Sequence, residues 1–173
     1  MILIDDYFED VECIRKLALQ AEYRDPKSTE GWRGYRSAPL SISNKLEELI
    51  IENIKNTIEN KTNRKIARID VYFHCSPDFV LNEEKNFHEI KWHKDHYDYA
   101  GVIYITPNPP PNTGTCFKNA ECVENKYNRF LGYSAEIEHA PDNLFGQDIN
   151  STRLTVTFFV LFIDGNYYQK VNE

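Results

Sequence analysis

The spacing of apolar residues changes near Lys65, and this change limits the folds open to the chain. Upstream, two segments repeat apolar residues at helical intervals. Downstream, "KIARIDVYFHC" alternates apolar residues such as Val71 and Phe73 with polar ones such as Tyr72 and His74. Alternation with a period of two indicates a strand whose two faces differ. Further strand-like runs follow: "GVIYITP", "GTCFKN", "YNRFLGYSA" and "RLTVTFFVLFI". Helices followed by strands predict a sheet-based core with helices packed on its outside.

The N-terminal part of the chain predicts one strand, two helices and a loop. "ILIDDYF" reads as a short strand, and "EDVECIRKLALQAEY" as a helix. Asn44 followed by Glu47 is typical of a helix start, and the apolar stripe behind it should face the core: Leu46, Leu49, Ile50, Ile54 and Ile58. Residues 24–41 are predicted to form a loop, whose Trp32 and Tyr35 are candidates for the mouth of a binding site.

Composition narrows the class of protein. A chain of 173 residues with 41% hydrophobic and 27% charged residues is typical of one soluble globular domain. The net charge of −7 disfavours nucleic acid and anionic membranes as partners. The apolar runs are too short to span a membrane, and the acidic N-terminus differs from a secretory signal. The cysteines, which include no CxxC pair, therefore predict free thiols in a reducing cytosol: Cys13, Cys75, Cys116 and Cys122.

A possible metal site begins at "HKD". His93 and Asp95 are two positions apart, so on an extended segment their side chains point the same way. His139 lies 44 residues after Asp95 and is the one histidine well downstream. Two histidines and a carboxylate form the facial triad of non-haem Fe(II) oxygenases, which leaves coordination positions open. His96 and Asp98 form a second HxD pair, but we favour His93 and Asp95 because the longer gap before "GVIYIT" leaves room for a turn.

Arg153 opens the apolar strand "RLTVTFFVLF" and shares one face of it with Thr155 and Thr157. A guanidinium in such a strand is costly unless it meets an anion, and it can hold a carboxylate through two parallel hydrogen bonds. Thr155 can add a hydroxyl. A dicarboxylate could therefore chelate the metal at one end and bind Arg153 at the other. In the rival interpretation, Arg153 pairs with a protein carboxylate such as Asp148 or Asp164 and only stabilises the fold.

HxD, a distant His and then Arg-x-Thr together resemble the Fe(II)- and 2-oxoglutarate-dependent dioxygenases, in particular the prolyl-hydroxylase-like branch with its small bacterial and phage relatives. "AGVIYIT", "NTGTCF" and "RLTVTFF" are similar to strands of that branch. The resemblance implies a mainly β fold with flanking helices (α+β), namely a double-stranded β-helix, a cupin-like jelly roll. Residues 65–163 would form the jelly roll and residues 1–64 its helical support, within one domain spanning 1–173.

The same resemblance assigns residues to cofactors. His93, Asp95 and His139 would bind Fe(II), and Arg153, Thr155 and Tyr104 would hold the distal carboxylate of 2-oxoglutarate. With O2 as co-substrate, such an enzyme hydroxylates its substrate and releases succinate and CO2. The substrate would be a peptidyl side chain or a small molecule, neutral or cationic. The expected location is the cytoplasm, and a phage-encoded protein acting in a bacterial host is compatible with the resemblance.

Two other classes remain open. One is a cupin-like lyase, isomerase or hydrolase that uses the metal without 2-oxoglutarate. The other is a non-catalytic jelly roll that binds sugar or protein. The loops at 24–41 and 76–92 contain no recognisable substrate code, and His74 and Arg68, on the polar face of their strand, have no assigned role.

Overall fold

The computed structural model describes residues 1–25, 34–78 and 92–172. These residues form nine strands and three helices. In chain order they are β1 (Ile2–Ile4), α1 (Val11–Gln20), β2 (Tyr23–Arg24), β3 (Tyr35–Ser37), α2 (Lys45–Thr62), β4 (Ile66–Ser76), β5 (Tyr99–Tyr104), β6 (Thr115–Phe117), β7 (Phe130–Ser134), β8 (His139–Pro141), β9 (Arg153–Phe162) and α3 (Asn166–Asn172). The prediction of a mainly β protein with flanking helices is confirmed.

Seven strands form one antiparallel sheet in the order β1-β7-β5-β9-β4-β3-β2, which we call the large sheet. Its longest ladder joins β4 to β9, from Ile66 opposite Phe162 to Ser76 opposite Arg153. The neighbours of β9 in the sheet are β5 and β4, which both lie far from β9 in the sequence. The sheet therefore brings together residues from distant parts of the chain.

A second, two-stranded sheet pairs β6 with β8. Isolated bridges extend it on both sides, joining His93 to His139 and Thr115 to Val123. Phe117 of this small sheet packs against apolar residues on one face of the large sheet, including Tyr104 and Tyr133. The two sheets therefore face each other.

The opposite face of the large sheet packs against α1 and α2. Alternate residues of the central strands, such as Phe73 and Phe158, form one buried cluster with Ile14 and Ala18 of α1 and with the buried isoleucines of α2: Ile50, Ile51, Ile54 and Ile58. This arrangement follows directly from the period-two pattern of the strands and the 3.6-residue period of the helices.

The start of α2 follows the predicted signal. The Asn44 side chain accepts hydrogen bonds from the backbone N–H groups of Leu46 and Glu47. The Glu47 carboxylate accepts from the Ser41 N–H at 2.7 Å instead of from the N–H of the capping residue. Leu49 was wrongly placed on the core stripe, because it is half-exposed while Ile51 is buried.

The prediction of a loop over residues 24–41 needs revision, and part of that segment lies outside the described residues. Residues 24–41 are not all loop, since Tyr35–Ser37 pairs with β4 as an interior strand of the large sheet. Trp32, proposed for the mouth of a site, lies outside the described residues, as does most of the 76–92 segment. Among the helices described, none has the length and apolar character needed to cross a membrane.

Candidate metal and dicarboxylate site

The structure brings His93, Asp95 and His139 together. His93 and His139 exchange backbone hydrogen bonds of 3.1 and 3.0 Å, and the Asp95 N–H donates to the Ala135 carbonyl. These bonds hold the segment around His93 beside β8, so that the three side chains project to one side. One potential ligand atom from each residue lies within 4.8 Å of the others.

The geometry of these three side chains suits a divalent ion. His139 Nε2 lies 3.3 Å from one Asp95 oxygen, and His93 Nε2 lies 4.0 Å from the other. His139 Nδ1 lies 2.8 Å from the Ile137 carbonyl, to which it donates when protonated. This bond leaves the lone pair on Nε2, facing Asp95, which is how metal-binding histidines are usually oriented. His139 is buried and His93 exposed, so the group is open on one side.

The alternative HxD pair does not form a comparable group. Both Asp98 oxygens accept backbone hydrogen bonds, from Phe162 N–H at 2.9 Å and from Tyr167 N–H at 3.3 Å. Asp98 thus ties the end of β9 to the start of α3. His96 is exposed and lies edge-on to the Tyr167 ring.

The triad opens into a cavity of about 670 Å³ between the two sheets. Five of the six residues singled out by the sequence line it: His93, Asp95, His139, Arg153 and Thr155. Tyr104 is the exception, because it is fully buried and its hydroxyl lies 2.8 Å from Thr115 Oγ1, a lining residue. Burial raises the pKa of Tyr104, so its hydroxyl stays neutral.

Arg153 is buried at the edge of this cavity. Its Nε donates to the Thr113 carbonyl at 2.9 Å, and its Nη2 donates to the Gly114 carbonyl at 3.3 Å. The guanidinium carbon lies 5.3 Å from the centre of the Tyr104 ring. Within the described ranges its hydrogen-bond partners are neutral oxygens, and Nη1 makes no hydrogen bond.

The proposed structural partners of Arg153 are engaged elsewhere. Asp148 accepts from the backbone N–H groups of Asn150 and Ser151, and Asp164 pairs with Arg64 at 2.9 Å. Among the described residues, neither of these two aspartates forms an ion pair with Arg153. Asp142 is near enough for Arg153 to lower its pKa, although burial outweighs this influence and raises the pKa overall.

Thr115 and Tyr133 are among the cavity residues that sequence reasoning did not single out. Thr115 lies 2.8 Å from the Tyr104 hydroxyl and 3.5 Å from Arg153 Nη2, and so links the two. Tyr133 of β7 lines the cavity with its ring centre 4.6 Å from that of His139. Burial, reinforced by the Asp95 charge, raises the pKa of Tyr133 well above its usual value. The alternation in "FLGYS" placed Tyr133 on the same face of its strand as Leu131. The sequence did not show whether this face packs against the helices or lines the cavity.

Part of the cavity lining is aromatic and cationic. The Arg36 guanidinium lies over the rings of Tyr72 and Phe159, 5.2 and 5.3 Å from their centres, and Arg36 Nε lies 3.3 Å from His74 Nδ1. Tyr97 donates its hydroxyl hydrogen to Asp70. Among the residues without an assigned role, His74 thus lines the cavity, whereas Arg68 pairs with Asp70 and is not part of the lining.

The prediction of four free thiols is wrong for two cysteines. Cys116 of β6 and Cys122 form a disulfide, whereas Cys13 and Cys75 are free. The sequence argument relied on the absence of a CxxC pair, but the bridge Thr115–Val123 folds the chain back and places the two cysteines side by side. Burial raises the pKa of the Cys75 thiol to about 11, so this thiol remains protonated near neutral pH.

Comparisons with known proteins identify the fold. No protein-family model matches the sequence, and no curated protein matches it significantly. The structure is similar to that of a prolyl-4-hydroxylase from Pseudomonas putida, with a TM-score of 0.58 and 15% identity over 92% of this chain and 91% of that one. It is also similar to a protein from Shewanella oneidensis provisionally described as an oxygenase, with a TM-score of 0.50 and 14% identity over 92% of this chain and 78% of the other. The chain therefore has the jelly-roll fold of prolyl-hydroxylase-like oxygenases, as the sequence resemblance predicted.

Proposed function

We propose that this protein is an Fe(II)- and 2-oxoglutarate-dependent dioxygenase that hydroxylates a peptidyl side chain or a small molecule and releases succinate and CO2. The observation that carries the proposal is the content of one cavity. It holds a His-Asp-His group together with a buried arginine whose described hydrogen-bond partners are all neutral oxygens. The oxygenase-like fold supports an enzymatic role.

The donor set is consistent with iron. Two imidazoles and one carboxylate occupy one side of an ion and leave up to three positions for exchangeable ligands. When bound, Fe(II) would supply the activation of O2 and of the 2-oxo acid. The chain holds the ligands in place: the Ile137 carbonyl orients the His139 ring, and the backbone bonds of His93 and Asp95 hold their segment beside β8.

Arg153 and its neighbours form the proposed clamp for the distal carboxylate of 2-oxoglutarate. The Nη1 group of Arg153 is available for a charge-assisted hydrogen bond, and two carbonyls hold the guanidinium in place. Thr155 lines the same cavity, and its hydroxyl lies 3.4 Å from the His74 carbonyl and 3.2 Å from Thr157 Oγ1. We assign Tyr104 to the clamp as well, where its hydroxyl acts beside Thr115 and its ring supports the guanidinium.

The substrate proposal follows from charge. A net charge of −7 disfavours nucleic acid, so a peptide or a small molecule remains the proposed substrate. The described cavity lining contains Arg36, Lys94 and Arg153 but only one carboxylate, Asp95. This local excess of positive charge disfavours a cationic substrate. Of the neutral and cationic substrates that the sequence left open, we therefore favour a neutral one.

Metal binding provides the first test. Titration of the metal-free protein with Fe(II) without oxygen should show one site, and Asp95→Ala should weaken it at least about tenfold, because loss of the carboxylate removes the charged ligand. His96→Ala is the matched control, since His96 belongs to the other HxD pair and should leave the affinity unchanged. Equal affinities in the wild type and Asp95→Ala would refute the metal assignment.

Turnover provides the second test. The iron-loaded wild type should convert 2-oxoglutarate to succinate, faster when a substrate is present. A protein that binds the metal at Asp95 but does not bind 2-oxoglutarate would instead be a cupin-like metalloenzyme. A protein that binds neither would be a non-catalytic jelly roll.

A further inference from the structure

Tyr133 is a buried polar residue in the cavity to which neither the fold nor the proposed clamp assigns a task. Only 4% of its surface is exposed, yet it lines the cavity between the sheets. Its ring contacts two other rings, those of His139, at 4.6 Å between ring centres, and of Phe117, at 5.0 Å. The position of the hydroxyl is thus set by contacts to the ring.

The Tyr133 hydroxyl has no hydrogen-bond partner within residues 1–25, 34–78 and 92–172, and it is not among the buried polar atoms that are closed off from solvent. Tyr99 differs in this respect, since its hydroxyl is closed off and lies on the helix-facing side of the sheet. A hydroxyl in a nearly buried residue normally has a partner, because burying it unsatisfied costs free energy. The missing partner of Tyr133 should therefore come from a molecule in the cavity.

The position of Tyr133 indicates which molecule that is. The Tyr133 ring contacts His139 of the triad, with 4.6 Å between ring centres. Tyr133 also lines the same cavity as Asp95 and Arg153. A dicarboxylate that chelates an ion at the triad and contacts Arg153 would occupy this cavity, which Tyr133 also lines.

We propose that Tyr133 is a further co-substrate ligand, whose hydroxyl donates a hydrogen bond to the 2-oxo dicarboxylate that the triad and Arg153 would hold. This inference rests on the proposed function. Tyr133 would act as a neutral donor to an anionic ligand, a bond of the strong, charge-assisted type. The aromatic contacts would fix the donor before the ligand arrives, which lowers the entropic cost of binding.

Calorimetric titration of 2-oxoglutarate into the Mn(II)-loaded protein without oxygen tests this inference, with Tyr133→Phe as the variant. The substitution keeps the ring and removes only the hydroxyl. We expect the affinity for 2-oxoglutarate to fall at least about tenfold, as is typical for losing a hydrogen bond to a charged group. The Tm of the ligand-free variant should not fall, because the hydroxyl has no described partner to lose. Mn(II) affinity should also be unchanged.

Tyr97→Phe is the matched control. Tyr97 lines the same cavity, but its hydroxyl is bonded to Asp70 at 3.0 Å and should leave 2-oxoglutarate affinity unchanged. Wild-type affinity in Tyr133→Phe, with or without a lower Tm, would overturn the role of Tyr133 while leaving the proposed function intact. If the Mn(II)-loaded wild type does not bind 2-oxoglutarate, the proposed function itself fails, and the inference with it.

Discussion

The two faces of the large sheet differ in what they bury, and β9 shows the difference within a single strand. Its residues Leu154, Val156 and Phe158 join the core against α1 and α2, whereas Arg153 and Thr155 line the cavity. Both sets are almost fully buried. The helix-facing side is stabilised by apolar burial and close packing. The cavity side retains polar groups that are either hydrogen-bonded or directed at the cavity, so stability and chemistry are assigned to alternate residues.

The largest expected effect is on the helix-facing side. Phe158 is fully buried and stacks on Phe130 at 5.1 Å between ring centres. Phe158→Ala should lower the free energy of unfolding by about 3–5 kcal/mol, through lost burial and the remaining cavity. Urea denaturation measures this change. Thr157→Ala, the adjacent position on the other face, should cost about 1 kcal/mol or less, and equal losses at the two positions would contradict the division between the faces.

Arg153→Ala tests the cavity side. The affinity for 2-oxoglutarate should fall by about 2–5 kcal/mol, because a charge-assisted contact to the carboxylate is lost. Metal affinity should persist, since the triad is untouched. Arg153→Lys should recover only part of the loss, because an ammonium group lacks the planar fork.

Calorimetry on the folded, Mn(II)-loaded variants, without oxygen, provides the measurement for Arg153. A lower Tm together with unchanged 2-oxoglutarate affinity would mean that Arg153 acts only through the Thr113 and Gly114 carbonyls that it contacts. Arg153 would then only stabilise the fold, as the residues on the helix-facing side do. The proposal that the protein binds 2-oxoglutarate would lose its main support.

The next smaller effect concerns the disulfide next to the small sheet and its contribution to the free energy of unfolding. Cys116 and Cys122 are six positions apart, so the bond closes a short loop. In the chain-entropy description, a loop of this length stabilises the folded state by about 2 kcal/mol. Cys122→Ser should lower the free energy of unfolding by about this amount, and Cys13→Ser, which changes a free cysteine, should have little effect. Titration of the unreduced, denatured protein should find two thiols; four would contradict the bond.

The smallest expected effect concerns acid. Asp5 lies just beyond β1 and pairs with Arg129 at 2.6 Å and with Lys126 at 2.8 Å. Hydrogen bonds from Arg129, and then from Lys126, lower the pKa of Asp5 in the folded protein. The pairing therefore stabilises the fold above the unfolded-state pKa of about 3.9, and this contribution is lost as the pH falls through the lower, folded-state pKa.

Asp5→Asn should flatten the decline of stability below about pH 4. The effect should be small, because the pair is partly exposed to solvent. Denaturation midpoints measured between pH 2 and 6 provide the test, with Asp6→Asn as the neighbouring control. A decline in Asp5→Asn as steep as that of the wild type would show that the Asp5 pairs contribute nothing.

The sequence predicted most of the fold because periodicity is a local property. The alternation in β4 and the stripe of α2 identified their buried faces, apart from Leu49, without knowledge of their neighbours. The strand Tyr35–Ser37 was missed since three residues in a polar segment show little periodicity, and pairing with β4 decides their conformation. The disulfide was missed for a related reason, because it depends on the Thr115–Val123 bridge and not on a fixed spacing.

The sequence by itself determined which residue types were available for the site: an HxD pair, a late histidine and an arginine at the start of an apolar strand. Tertiary structure decided how they meet. Backbone pairing between His93 and His139 brings the triad together. The carboxylate of Asp98, from the rival HxD pair, instead accepts hydrogen bonds from the backbone N–H groups of Phe162 and Tyr167. Only the packing of two sheets shows that Tyr133 faces the same cavity as Arg153. Spacing along one strand is set by local backbone geometry, whereas distances between strands depend on the register and packing of the whole sheet.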